Sequence, residues 1–176
     1  MEMKRFLLFL AVFCVTGLSC HAQDVIVSKD GVGPVKVGMQ LEKVPASIPH
    51  FYTQKSPLPD YYFWVICENE NGDSMASFLG EDEDSDRYET LVYFILESSY
   101  PKTKEGLHVG STCQEILDKG GKRGKLDFGE EIGPVFYVSL EGLYFFFDDQ
   151  EGVENGKIKT NAPCIKISNS ESPYFM

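Results

Sequence analysis

The sequence predicts an α+β protein made of two tandem α-β-β-β repeats, with antiparallel sheets and the helices packed on one side. Three observations lead there. Residues 35–44, VKVGMQLEKV, align without gaps on residues 107–116, LHVGSTCQEI, at an offset of 72. Aromatic and β-branched runs follow both stretches in the same order, as strands do. The turn pairs Asn71-Gly72 and Glu141-Gly142 fall 70 residues apart, close to the same offset.

The elements can be justified in chain order. Val35 and Val37 make a short extended opening, and Gly38 supplies a turn that other residues resist. The helix expected next has only Gln40 as its cap, with Pro45 early in it and Pro49 at its end, so it should be short. YYFWVICEN (61–69) reads as a strand, and Asn71-Gly72 as a two-residue hairpin turn. DSMASFLG (73–80) is the second strand. The polar loop EDEDSDRY (81–88) leads to the third, ETLVYFILE (89–97). In the second copy, Thr112 is a good N-cap and Glu115 completes a capping box. GGKRGK (120–125) reads as a flexible loop after that helix. GPVFYVSL (133–140), LYFFFDD (143–149) and KIKTNAPCIKIS (157–168) are the strands that follow. The domain plan is a signal peptide over 1–22, a first repeat over 23–100 and a second over 101–176, the two repeats forming one compact unit.

The N-terminus reads as an export signal. Lys4 and Arg5 precede the thirteen-residue apolar run FLLFLAVFCVTGL, too short to span a bilayer and the right length for a signal core. Two processing routes compete. Cys20-His21-Ala22 before Gln23 has the small-x-small pattern of ordinary cleavage. Gly17-Leu18-Ser19-Cys20 resembles a lipobox, which would make Cys20 a lipidation site, although Gly17 stands where that pattern wants an apolar residue. No transmembrane span is expected in the mature chain, and a lipid anchor through Cys20 is the open alternative. Either route puts the protein in the periplasm or outside the cell, or on the outer membrane.

Charge narrows the partners. Lys and Arg total 16 against 27 Asp and Glu, a formal net charge of −11. Such a surface repels phosphate backbones, so no nucleic acid is expected. A basic patch on another exported protein would be attracted.

The candidate chemistry is thin. Cys113, at a helix N-terminus, has one ingredient of a nucleophile, with His108 five residues earlier; no orienting group or oxyanion site accompanies them. The alternatives for Cys113 are a disulfide with Cys164 or a buried free thiol. Asp82, Asp84 and Asp86 alternate as in a calcium loop, but Arg87 and Val92 stand where that loop needs Gly and Glu. No zinc spacing, phosphate loop or dinucleotide fingerprint occurs. No metal, no cofactor and no enzymatic activity are expected. The aromatic strands are the stronger signal. Tyr62 and Trp64 share one face of their strand, and Tyr144 and Phe146 one face of theirs, yet both strands are apolar on both sides. The second side is therefore either covered within the fold or an interaction patch with Tyr62, Trp64, Tyr144 and Phe146 as anchors.

The opening GVGPVKVGMQLEKV resembles the Gly-Met-x-x-x-x-Val start of small exported bacterial domains with the β-lactamase-inhibitor-protein-like fold, and of the related outer-membrane assembly lipoproteins of the BamE/SmpA type. The resemblance covers about ten residues per copy in sequence. It implies a helical opening followed by antiparallel strands, and a role in binding other proteins as an inhibitor or an assembly subunit. The resulting expectation is a non-enzymatic protein-binding module of the cell envelope, possible forms being an inhibitor or an immunity-type protein. The alternative is a structural lipoprotein, anchored through Cys20, that assists assembly or tethering.

Overall fold

A computed structural model describes residues 25–44, 52–57, 62–68, 74–81, 90–128, 133–148 and 150–171; over 52–57, 62–68, 74–75 and 81 it describes the backbone alone. The Asn71-Gly72 turn and the Asp82–Asp86 loop lie outside these residues, as do the leader and Cys20.

The α+β expectation is overturned. The described residues form mostly strands, in three sheets, with one α-helix of six residues, α1 (Cys113–Asp118), and a 3-10 turn at Leu41–Lys43. The strands of the two expected repeats do not make separate sheets with helices alongside. They join in a single eight-stranded sheet. Its members are β4 (Tyr52–Pro57), β5 (Tyr62–Glu68), β6 (Ser74–Glu81), β7 (Thr90–Leu96), β8 (Lys122–Asp127), β9 (Pro134–Leu140), β10 (Leu143–Phe147) and β13 (Cys164–Ser168). Three short strands, β1 (Val27–Ser28), β2 (Gly31–Val32) and β3 (Val35–Lys36), make a small sheet, and β11 (Val153–Glu154) with β12 (Lys157–Ile158) a hairpin.

The large sheet is ordered β4-β5-β6-β7-β13-β10-β9-β8, and every pairing in it is antiparallel. Each half is a four-strand meander, and the last strands of the two meet at a central seam, β7 against β13. The seam has two backbone pairs, Leu96 with Ile167 and Ile95 with Ser168. Asn169 extends it with its side chain. Its carboxamide oxygen accepts from the Phe94 N–H at 2.9 Å, and its nitrogen donates to the Val92 carbonyl at 3.0 Å. One side chain thus makes both bonds that a further peptide unit of a strand would make.

The two glycine openings are held alike. Gly38 (φ +85°) donates to Leu91 O, and Leu91 N donates back to Met39 O. Gly110 (φ +100°) donates to Cys164 O, and Cys164 N donates back to Ser111 O. Gln40 then bridges Thr90 as Thr112 bridges Pro163. A positive φ at each glycine turns the chain so that the residues after it pair with the start of the last strand of the same half. Val35 and Leu107, and Val44 and Ile116, are all buried, the same columns in both copies.

What differs is the segment after the cap. Thr112 accepts from the Glu115 N–H and Glu115 accepts from the Thr112 N–H, a complete capping box; Gln40 makes no side-chain cap and leads only into the 3-10 turn. Gly120-Gly121 is no flexible loop. Gly120 (φ +95°) donates to Leu117 O and Gly121 to Ile116 O, the double closure of a Schellman motif. The chain then runs directly into β8, so KRGK is strand rather than loop.

One face of the large sheet is the core side. Phe78, Phe94, Phe145, Leu96, Val138 and Ile167 pack there against Val27, Val32 and Val35 of the small sheet, Leu41 of the 3-10 turn and Val44 just after it, and Cys113 and Ile116 of α1. This cluster draws on both halves of the chain, so neither has a core of its own. Short hairpins, one turn and one helix form the covering layer that two packed helices were expected to make.

Candidate functional site: the second face of the sheet

The sheet's other face carries the aromatic positions that stood out in the sequence. Cross-strand partners connect them. The row through Tyr144 runs Ser139, Tyr144, Ser168, Ile95, Ser77, Ile66 and Gln54 across seven strands. Trp64 pairs with Leu79 and Tyr62 with Glu81, two and four residues along β5 from Ile66. Phe146 pairs with Tyr137 and Lys166, two residues from Tyr144. A strand's side chains alternate between faces, so Tyr62, Trp64, Tyr144 and Phe146 occupy positions on a single face, opposite the core.

That face is far from bare. Phe146 is 2 % exposed, and Leu79, Ile95, Ser77 and Ser168 are also buried. Around Phe146 a second cluster forms with Val135 and Tyr137, joined by Leu126, Phe128 and Tyr144. Its rings meet edge to face, Tyr137 with Tyr144 at 5.3 Å and with Phe146 at 6.1 Å. The Tyr137 hydroxyl donates to Glu171 at 2.8 Å. Burial, then that carboxylate, pushes the Tyr137 pKa up to about 12. Of the four aromatic candidates, Phe146 serves this internal packing, while Tyr144 stays partly open. The side chains of Tyr62 and Trp64 fall outside the described residues. Tyr137 was not singled out from the sequence. Register makes it the counterpart of Trp64, since Trp64 pairs with Leu79 on β6 as Tyr137 pairs with Phe146 on β10. The alternation of GPVFYVSL was the signal that could have found it.

The polar candidates take structural places. Cys113 is fully buried in the core, and the His108 ring Nδ1 hydrogen-bonds the Val109 carbonyl at 2.7 Å. Cys113 and Cys164 are both free thiols. The Cys164 thiol donates to His108 O at 3.3 Å, and burial pushes its pKa up to about 12 despite the neighbouring backbone bonds. Only thiolate reacts with iodoacetamide. Native protein at pH 8 is therefore expected to leave the Cys164 peptide unalkylated, whereas protein in guanidinium labels it fully; peptide mass spectrometry reads both. The Asp148 carboxylate accepts from the Gln150 and Glu151 N–H groups, so it closes its own loop. Among the described residues no helix is long and apolar enough to cross a membrane.

Comparison with known proteins gives a likeness of fold. No protein-family model matches the chain, and no curated protein does. The crystal structure of the uncharacterized protein yfeY from Escherichia coli is similar, with a TM-score of 0.53 and 15 % identity, covering 81 % of this chain and 97 % of that one. At that identity the likeness speaks for the fold alone.

Proposed function

We propose that this chain is an exported, non-enzymatic module of the bacterial cell envelope that binds another protein across the second face of its sheet. The observation that carries the reading is the single face shared by the aromatic positions of both halves, with Tyr144 partly open beside a packed, edge-to-face ring cluster. Rigid aromatic anchors on a broad sheet suit protein–protein contact, because they bury much area with little loss of side-chain freedom. The apolar leader and the net charge of −11 support an exported protein that meets a partner with a basic patch. The resemblance of the glycine openings to inhibitor-protein-like and assembly-lipoprotein domains supports the same class, whether as an inhibitor, as an immunity-type protein or as an assembly subunit.

The test is photocrosslinking in cells, with p-benzoylphenylalanine in place of Tyr144 and, as a control on another surface, in place of Ile26, which is 40 % exposed. A single protein adduct from position 144 and none from position 26 is the expected result. Equal adducts from both, or none from either, would remove the second face as a binding surface. Acyl labelling of Cys20 would then favour a tethered structural lipoprotein.

A further inference from the structure

We propose that β8, the outer edge of the large sheet, is a strand-addition site for an extended acidic segment of another protein. The inference uses a different surface from the aromatic face and stands without it.

Among the described residues the large sheet ends at β8, whose six residues pair with β9 in unbroken register from Lys122–Ser139 to Asp127–Pro134. Register shifts occur inside the sheet, between β5 and β6, β6 and β7, and β10 and β13, whereas β8 and the opposite edge strand β4 both pair without a break. An unbroken edge strand presents a regular row of backbone donors and acceptors, the template on which a further strand adds. At its centre Gly124 has no side chain, and the Tyr137 ring occupies the place on the aromatic face that a Cβ there would take.

The charge on this edge selects the partner. Lys122, Arg123 and Lys125 fall within four residues and are exposed, as is Lys119 at the helix end just before. They form a basic island on a chain of net charge −11. Register places Lys122 on the aromatic face and Arg123 and Lys125 on the core face, opposite Ser139, Val138 and Phe136. Lys125 is only loosely held, 5.8 Å above the Phe136 ring and 3.8 Å from an exposed Asp127 carboxylate. Lysines on an edge normally repel stray strands. Against a segment with carboxylates at alternate positions on the core face, Arg123 and Lys125 attract instead, each cross-strand pair adding modestly to the ladder, and Lys122 adds its charge from the other face. The island thus excludes neutral and basic strands, and the acidic remainder of the surface keeps an acidic segment from settling elsewhere.

The probe is the acetylated, amidated peptide Thr-Glu-Val-Glu-Val-Glu-Thr, with its Lys-for-Glu counterpart as control, titrated into 15N-labelled protein. The expected result is shift changes and slowed amide exchange confined to residues 122–127, weakened about tenfold on going from low to physiological salt, as contacts between exposed charges are screened. The Lys peptide should do neither. The triple variant K122E/R123E/K125E should lose the Glu peptide; should that variant misfold, the salt dependence and the Lys control on the unaltered protein decide alone. Three results overturn the proposal: no slowing in β8, equal response to the Lys peptide, or protection of β8 that grows with protein concentration without peptide. The last would make the occupant a second copy of this chain.

Discussion

Phe145→Ala is expected to destabilise the protein by about 3–5 kcal/mol, enough to consume much of the stability of a domain this size. Phe145 is fully buried at the middle of β10, and the covering layer packs over it. Phe78 holds the matching place in the first half. It pairs with Phe94 on β7 as Phe145 pairs with Ile167 on β13, and it too is fully buried. Phe78→Ala should therefore cost a similar amount. Both variants should unfold in one transition, because one cluster draws on both halves. Urea unfolding followed by far-UV circular dichroism measures this. A two-step curve, with each variant moving only one step, would show that the halves fold independently.

Asn169→Ala should cost about 2–3 kcal/mol, a large effect for one partly exposed polar residue. The loss strands two backbone groups of β7, the Phe94 N–H and the Val92 carbonyl, and each unsatisfied group costs about 1–3 kcal/mol when buried and less where water reaches it. Asn169→Asp separates the two bonds. It keeps an acceptor for Phe94 but sets a carboxylate against the Val92 carbonyl oxygen, so it should be no milder than the alanine change. Thermal unfolding gives the order. The exchange rate of the Phe94 amide gives the mechanism, since in both variants the seam should open more often than in the parent protein. Unchanged exchange would mean that the two backbone pairs at Ile95 and Leu96 hold the seam by themselves.

The strands with aromatic or β-branched runs were legible because each is a local pattern. β5, β6, β7, β9 and β10 fall within two residues of where they were expected. The capping box at Thr112 was readable for the same reason, as was the turn at Glu141-Gly142, whose two residues both have positive φ. β4 and β8 were missed. YTQKSP and KRGKLD are polar, and edge strands need polar residues, so their composition imitates loops. The fold class was missed because one capping box and one glycine-turn pattern were read as two helices. The first copy lacks a side-chain cap and its described helical stretch is a single 3-10 turn. The expected last strand, 157–168, is two strands, with β12 turned away to pair with β11. As to the site, alternation put the aromatic residues on one face of each strand. Whether the two faces coincide depends on register across the seam, and that is set by long-range pairing between residues about 70 apart.

The mirrored strand order also has a bearing on descent. A chain carrying only one such half would end in an open edge at its last strand. Two copies of it would meet there about a two-fold axis, each edge completing the other, and the pairing of Ile95 with Ser168, which hold matching places in the two halves, marks where that axis would pass. Joining the copies end to end makes the encounter intramolecular, so completion of the sheet no longer depends on concentration. It also lifts the demand for self-complementarity. One half could then keep a basic outer strand, and only one need carry the asparagine that closes the join.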